Sequence, residues 1–367
     1  MPTPRSLGTF PISPAMKAKL TSAGFLTVSD LQDLKPSELS KELGISTEAA
    51  LEVIKTVFQE DVGVSGSRRT STPRSVTALE MLQLEQSLPN IFTFSEKLDD
   101  ILGGGVPLAK ITEFCGAPGI GKTQVCMQLG IDVQIPECFG GLDGETVYVD
   151  TEGSFIVERL VDIASATVEH CNNIAQMDGS DDVKEAANSF NLEKLLSGIH
   201  YFRCHDYIEL LSTVHLLPKF VSEHKKVKLV IVDSIAFHFR HDFDDMSLRT
   251  RLLTSMAQSF IRLATEHKLA VVLTNQMTTK MGRGGGSHLI PALGESWGHA
   301  STIRVVLYWE GNNRHALLYK SPSKKEAVVP FQITMGGIRD VQSEATDQGV
   351  MESAEGGENP PKRQRVS

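Results

Sequence analysis

The chain has 367 residues, 41% apolar and 22% charged, which suits one large core with a small second module and excludes a chain dominated by disorder. Its net charge of −9 excludes a broadly basic surface, so any nucleic acid must be met by particular loops whose lysines and arginines neutralise phosphate. No apolar run approaches the roughly 18 residues of a membrane span, and residues 1–10 lack a basic stretch followed by an apolar one, so an intracellular chain with no membrane partner is expected.

Residues 1–60 read as a compact helical domain. Ser13-Pro14 places a capping hydroxyl before a first-turn proline, and Ser29 and Ser46 stand as caps before further apolar periodicity. Leu51, Ile54 and Phe58 are expected on one helix face. Two glycine turns, Ala23-Gly24-Phe25 and Leu43-Gly44-Ile45, separate the helices as in helix-hairpin-helix domains. Such turns can present amides to DNA phosphates, or the bundle can contact protein only; the residues leave both open.

Residues 61–78 form a linker, rich in Gly, Ser, Thr and Arg up to Ser75. From 79 to 340 the pattern changes. Apolar, β-branched runs at Ile111 to Phe114, Thr146 to Val149, Lys228 to Val232 and Leu269 to Thr274 alternate with helical stretches, as in a mostly parallel sheet covered by helices on both faces. Ile303 to Trp309, Ala316 to Lys320 and Val328 to Ile333 follow as strands around short turns, so the sheet is expected to end in hairpins. Residues 341–367 are polar and expected to be disordered. The five cysteines, Cys115, Cys126, Cys138, Cys171 and Cys204, show neither a C-x-x-C nor a paired-histidine spacing, so buried thiols are expected, without zinc or disulfides.

Chemistry concentrates at four strand ends. Gly116-Ala117-Pro118-Gly119-Ile120-Gly121-Lys122-Thr123 follows the first apolar strand and opens a helix with Gln124 in its first turn. This is a phosphate-binding loop. Its glycines let amides turn in around a β-phosphate, Lys122 neutralises β and γ oxygens, and the Thr123 hydroxyl suits Mg2+. A nucleoside triphosphate with Mg2+ is therefore the expected ligand. Val125, Leu129 and Val133 should seat the helix so that its N-terminus points at the phosphates. Glu152 follows the strand ending at Asp150, where a carboxylate can activate a water. Asp233 ends another strand and suits Mg2+, while Gln276 ends a third and can sense a γ-phosphate.

This set, with Asp150-Thr151-Glu152-Gly153, Leu102-Gly103-Gly104-Gly105-Val106-Pro107 and Ala292 to Ala300, resembles the RecA-like recombinases, and within them the paralogues of the eukaryotic strand-exchange recombinase. The resemblance runs from about Phe10 to Asp340. It implies an α/β fold: a RecA-like ATPase core, its mostly parallel sheet flanked by helices, behind a small all-α domain. It further implies that Lys122 and Thr123 hold phosphates and Mg2+, that Glu152 is the catalytic base, that Gln276 senses the γ-phosphate and that Arg159 stacks on adenine.

In this family ATP lies between subunits, and His315 to Lys325 matches the stretch that caps a neighbour's nucleotide. There Lys320 replaces the expected acid and could meet a neighbour's phosphate. Two loops would face DNA. The first, Phe239 to Ser247, is acidic apart from Arg240 and His241; the second, Met277 to Glu295, carries Lys280, Arg283 and His288 and suits a single-stranded phosphate backbone. The linker segment that joins subunits through an edge strand would fall at Ser75 to Ala78, with Ala78 kept and Ser75 in place of a phenylalanine. Lys362, Arg363 and Arg365 form a basic cluster suited to nuclear import. The implied role is an ATP-dependent, DNA-binding subunit of heteromeric paralogue complexes in homologous recombination, with single-stranded or branched DNA as partner. The alternative is a non-catalytic assembly subunit with ATP as structural glue.

Overall fold

The computed structural model describes residues 6–31, 34–59, 76–240, 243, 245–281 and 287–341. The chain divides into two compact units between Met81 and Leu82.

In the first unit α1 (Pro14–Ser22) starts as its residues dictate, with the Ser13 hydroxyl accepting from the Met16 amide and Pro14 in the first turn. α2 (Pro36–Leu43) and α3 (Thr47–Gln59) follow, and the Ser46 hydroxyl accepts from the Ala49 amide at 3.2 Å. Ser29 falls inside a short 3-10 helix, Val28–Leu31, rather than before it, and the Asp30 carboxylate takes the Leu26 and Thr27 amides; the Ser29 side chain lies outside what is described. In α3 Ala50, Val53 and Val57 are buried and Ile54 packs against their cluster as expected, while Leu51 is 40% exposed; the Phe58 side chain lies outside what is described. Ala50 is too small to weigh in a hydrophobic pattern, yet it lets α2 approach. Both glycine turns adopt positive φ, but the amides of Gly24, Phe25, Gly44 and Ile45 all close onto carbonyls of the preceding helices. Those four amides are taken up by the helix ends.

Ala78 opens a helix, α4 (Ala78–Ser87), rather than an extended segment. Thr77 and Glu80 form a reciprocal cap, the Glu80 carboxylate accepting the Thr77 amide at 2.7 Å and the Thr77 hydroxyl accepting the Glu80 amide at 3.2 Å. That T-x-x-E signal is local and was legible. Val76, Leu79, Met81, Leu82 and Leu84 are all exposed. Ser75 and the basic cluster at Lys362, Arg363 and Arg365 lie outside the described residues.

The second unit opens with β1 (Asn90–Ile91), α5 (Glu96–Leu102), β2 (Val106–Pro107), β3 (Ile111–Gly116) and α6 (Lys122–Asp132). Next come β4 (Glu145–Asp150), α7 (Val157–Asp178), α8 (Asp181–Ser189), α9 (Leu192–Ser197), β5 (Ile199–Arg203), α10 (Tyr207–Glu223) and β6 (Val227–Asp233). Then follow α11 (Met246–His267), β7 (Ala270–Asn275), β8 (Met277–Met281), β9 (Ser287–Pro291) and α12 (Gly294–Gly298). The unit closes with β10 (Ile303–Glu310), β11 (Asn313–Lys320), β12 (Val328–Thr334) and β13 (Gly337–Asp340).

Among the described residues, nine strands form one sheet in the order β13-β12-β11-β10-β3-β7-β6-β4-β5. Pairing is parallel from β10 to β5 and antiparallel from β10 to β13, so the hairpin ending is as expected. β6 shows why its sequence is a continuous apolar run: Val230 and Val232 pack with α10 and α11, while Leu229 and Ile231 pack with α6. The outer strand β5 escaped notice because its residues are only half buried and lack a clear pattern. Four neighbouring strands, β3, β7, β6 and β4, end side by side, and the carboxyl ends of such strands are where α/β sheets bind ligands.

Candidate nucleotide site

The phosphate loop leaves β3 and enters α6. Gly121 has φ 116 and a Cβ there would fall 2.5 Å from Ile333 Cδ1; one on Gly116 would fall 2.7 Å from Ile120 Cγ2. Larger residues would thus close the loop. α6 starts with no side-chain cap on its first amides, and Val125, Leu129 and Val133 face the core as expected. This open N-terminus of an 11-residue helix, with a cation in its first turn, fits a polyphosphate. The Lys122 ammonium donates to the carbonyls of Gly116 and Ala117 at 3.0 and 3.1 Å. Burial pushes its pKa below the ordinary value, against the opposing pull of Asp233 and Glu152.

Asp233 lies buried at the end of β6. Its carboxylate accepts from the hydroxyls of Thr123 at 2.7 Å, Tyr148 at 2.9 Å and Thr274. Burial raises its pKa, and the three hydroxyls oppose the rise. A carboxylate touching the hydroxyl that follows the loop lysine is the donor pair a hard cation needs, so Thr123 and Asp233 fit Mg2+. Glu152 receives two hydrogen bonds on Oε1, from the Ser234 hydroxyl at 2.6 Å and the Gln276 amide at 2.7 Å. Arg240, from the first loop, donates in turn to Gln276 Oε1. Glu152 and Gln276, 124 residues apart in sequence, thus sit in direct contact.

Arg159 on α7 donates to Gln124 Oε1 at 2.7 Å and to the carbonyls of Thr334, at 2.7 Å, and Met335. It ties α6, α7 and the β12 end together beside the loop. Lys320, which could meet a neighbour's phosphate, bonds inward here. Its ammonium is held within its own chain, by the carbonyls of Gly298 at 3.0 Å and Ser301 at 2.5 Å, and burial lowers its pKa.

Glu113 went unnoticed in the sequence. It is fully buried in β3 and gathers Arg304 at 2.6 Å, Asn275 at 2.8 Å and the Trp297 indole N–H at 2.9 Å. A lone acid inside an otherwise apolar strand, Ile111-Thr112-Glu113-Phe114-Cys115, was the available signal, since a charge is retained there only when it is paired. The hub fixes the helix that closes the second loop. Trp297→Phe, which keeps an aromatic and removes one donor from a buried carboxylate, is expected to cost about 1.5–3 kcal/mol. Urea denaturation of the full chain measures it, and an unshifted midpoint would show that the hub does not hold α12.

The second loop is in part a hairpin. β8 and β9 pair with Lys280 opposite His288 in register, while Arg283 lies outside the described residues. In the first loop Asp245 accepts from the Ser247 and Leu248 amides, so part of that loop's acidity is the N-cap of α11.

Four of the five cysteines are buried, and Cys138 is exposed; burial raises the pKa of Cys115 and Cys126 well above the ordinary thiol value. Among the described residues, Glu145, His200 and His224 bring metal-capable atoms within 4.8 Å of one another. They meet at the other end of β4 and β5 from the phosphate loop, and spacing along the chain does not reveal them.

The family model described as Rad51 matches residues 85–341, a span that holds every strand end described above. The chain belongs to the Rad51 family. It is similar to the "DNA repair protein RAD51 homolog 3" of Cricetulus griseus, at 53% identity over 370 residues, 98% of each chain. The protein of the same name from Dictyostelium discoideum is 44% identical over 268 residues, 72% of this chain and 70% of that one. The "DNA repair and recombination protein RadA" of Metallosphaera sedula is 32% identical over 335 residues, 90% of this chain and 94% of that one. The likeness to RadA spans nearly the whole chain. No helix among the described residues is long and apolar enough to cross a membrane.

Proposed function

We propose that this chain is the C paralogue of the eukaryotic strand-exchange recombinase, a Mg2+-dependent ATPase that grips single-stranded or branched DNA in heteromeric complexes during homologous recombination and the repair of double-strand breaks and crosslinks. The observation that carries the ATPase reading is the convergence of Lys122, Thr123, Asp233, Glu152 and Gln276 at four adjacent strand ends. In this reading Lys122 and the α6 amides bind the phosphates, Thr123 and Asp233 hold the cation that offsets phosphate charge, and Arg159 flanks the base. Glu152, with both described donors on Oε1, orients the attacking water and takes its proton on Oε2. Gln276 reports the γ-phosphate to the loop that begins at Met277. The names of the relatives support the repair role, and the basic cluster at Lys362, Arg363 and Arg365 supports a nuclear location; a cytoplasmic pool is part of the proposal.

Hydrolysis of ATP by the full chain, with and without single-stranded DNA, tests the reading. A chain that binds ATP tightly without turnover would leave the nucleotide as glue between subunits. Lys280 and Arg283 serve the DNA backbone in this account. Replacing both with Ala is expected to flatten the salt dependence of single-strand binding by roughly one unit of slope per lost phosphate contact; an unaltered slope would place the DNA elsewhere. The subunit contact is assigned to the segment at Ala78, where Val76 and Leu79 are 52% and 62% exposed and suit apolar pockets on another paralogue. Sedimentation of the isolated chain with ATP and DNA is expected to give small species, and long regular homofilaments would refute a heteromeric design.

A further inference from the structure

Asp150 ends β4 two residues before Glu152, and it is fully buried. Its Oδ1 accepts from the amides of Glu152 at 3.0 Å, Gly153 at 2.7 Å and Ser154 at 3.4 Å. Oδ2 accepts from the Phe155 amide at 3.3 Å and the Tyr201 hydroxyl at 3.0 Å. Every amide from 152 to 155 therefore points at one carboxylate. From β5, the Arg203 guanidinium donates to the Asp150 carbonyl at 2.9 Å and lies 3.7 Å from Oδ1. Gly153, at φ 75, passes so close that a Cβ there would fall 3.0 Å from Arg203 Nη2. Thr151, between the two acids, is pinned on the opposite side, its hydroxyl donating to the Ser234 carbonyl at 2.7 Å and accepting from the Ser234 amide at 2.8 Å.

We infer that Asp150 is a positioning residue for ATP hydrolysis: it gathers the amides of residues 152–155 so that the Glu152 carboxylate is held against Ser234 and Gln276, with Tyr201 and Arg203 buttressing it from the outer strand. The inference deepens the proposed ATPase and rests on Glu152 as its base. The chemistry requires an anion at this point. A carboxylate has two acceptor oxygens for five donors; an asparagine of the same shape has one, and its NH2 group would face N–H or O–H donors. Catalysis magnifies the slack, since displacing a reacting group by about 1 Å costs on the order of 10²-fold in rate. Support also arrives from an outer strand, as β5 is the last in the sheet among the described residues and Tyr201 is 46% exposed.

The test uses the full chain and four variants: Asp150→Asn, Tyr201→Phe, Glu152→Gln and Asp150→Asn combined with Glu152→Gln. Asp150→Asn is expected to lower kcat by roughly 10- to 100-fold, with KM and the MgATP dissociation constant within about twofold, because it leaves the phosphate loop untouched. Tyr201→Phe removes one donor of five and is expected to lower kcat severalfold. Hydrogen exchange at amides 152–155 is expected to accelerate in both. The double variant should be no slower than Glu152→Gln alone, since a positioning residue has nothing left to position. Unchanged kcat and exchange in Asp150→Asn would overturn the inference, as would a double variant well below Glu152→Gln. Loss of nucleotide binding with a lowered melting temperature in Asp150→Asn would reduce its role to folding and overturn it too. If Glu152→Gln hydrolyses like the wild type, the assignment of the base fails, while accelerated exchange in Asp150→Asn would still show that the carboxylate holds the loop.

Discussion

Glu152→Gln is expected to keep MgATP affinity and to lose turnover by about 10²- to 10⁴-fold, the range general-base catalysis supplies. The substitution preserves length and planarity. It also retains an oxygen that can accept from the Ser234 hydroxyl and the Gln276 amide, which both fall on Oε1. What it removes is the ability to take a proton from water. Steady-state hydrolysis beside a nucleotide-binding titration checks it. Equal hydrolysis by variant and parent would take Glu152 out of the mechanism, and equal loss of binding and turnover would move it into the binding site.

Lys122→Ala is expected to weaken MgATP binding by on the order of 10²- to 10⁴-fold, from the loss of two or so charge-assisted contacts at about 1.5–3 kcal/mol each. The ammonium is partly desolvated, which depresses its pKa, while Asp233 and Glu152 pull the other way. Removing it leaves those two acids facing the phosphates without the loop cation, so repulsion adds to the lost contacts. The fold should survive, because among the described residues Lys122 Nζ bonds only the loop carbonyls of Gly116 and Ala117. Calorimetric titration with MgATP decides, and unaltered affinity would sink the site assignment.

The phosphate loop, its helix and the acids at the strand ends were legible because they depend on neighbours in the chain. A G-x-x-x-x-G-K-T run after an apolar strand and before an apolar-periodic stretch signals a turn into a helix, and a strand buried on both faces reads as a continuous apolar run. The N-caps at Ser13 and Ser46 belong to the same class, as did the overlooked cap at Thr77 and Glu80. Such signals span three or four residues.

What lay beyond the sequence was convergence. Glu113, Asn275, Trp297 and Arg304 come from four segments and meet only because β3 lies between β10 and β7. Lys320 turns to the carbonyls of Gly298 and Ser301 because the β10–β11 hairpin lays it beside them. Asp150 gains Tyr201 and Arg203 only when β5 pairs along β4. That Ala50 and not Leu51 of α3 is buried depended on what packs against the helix. The division has a physical cause. Helix caps and turns close hydrogen bonds within one or two turns of chain, so residue identity and spacing suffice. Strand order and the pairing of buried charges are set by the burial of the whole sheet between its helices, and that order is not written in the periodicity of any single strand.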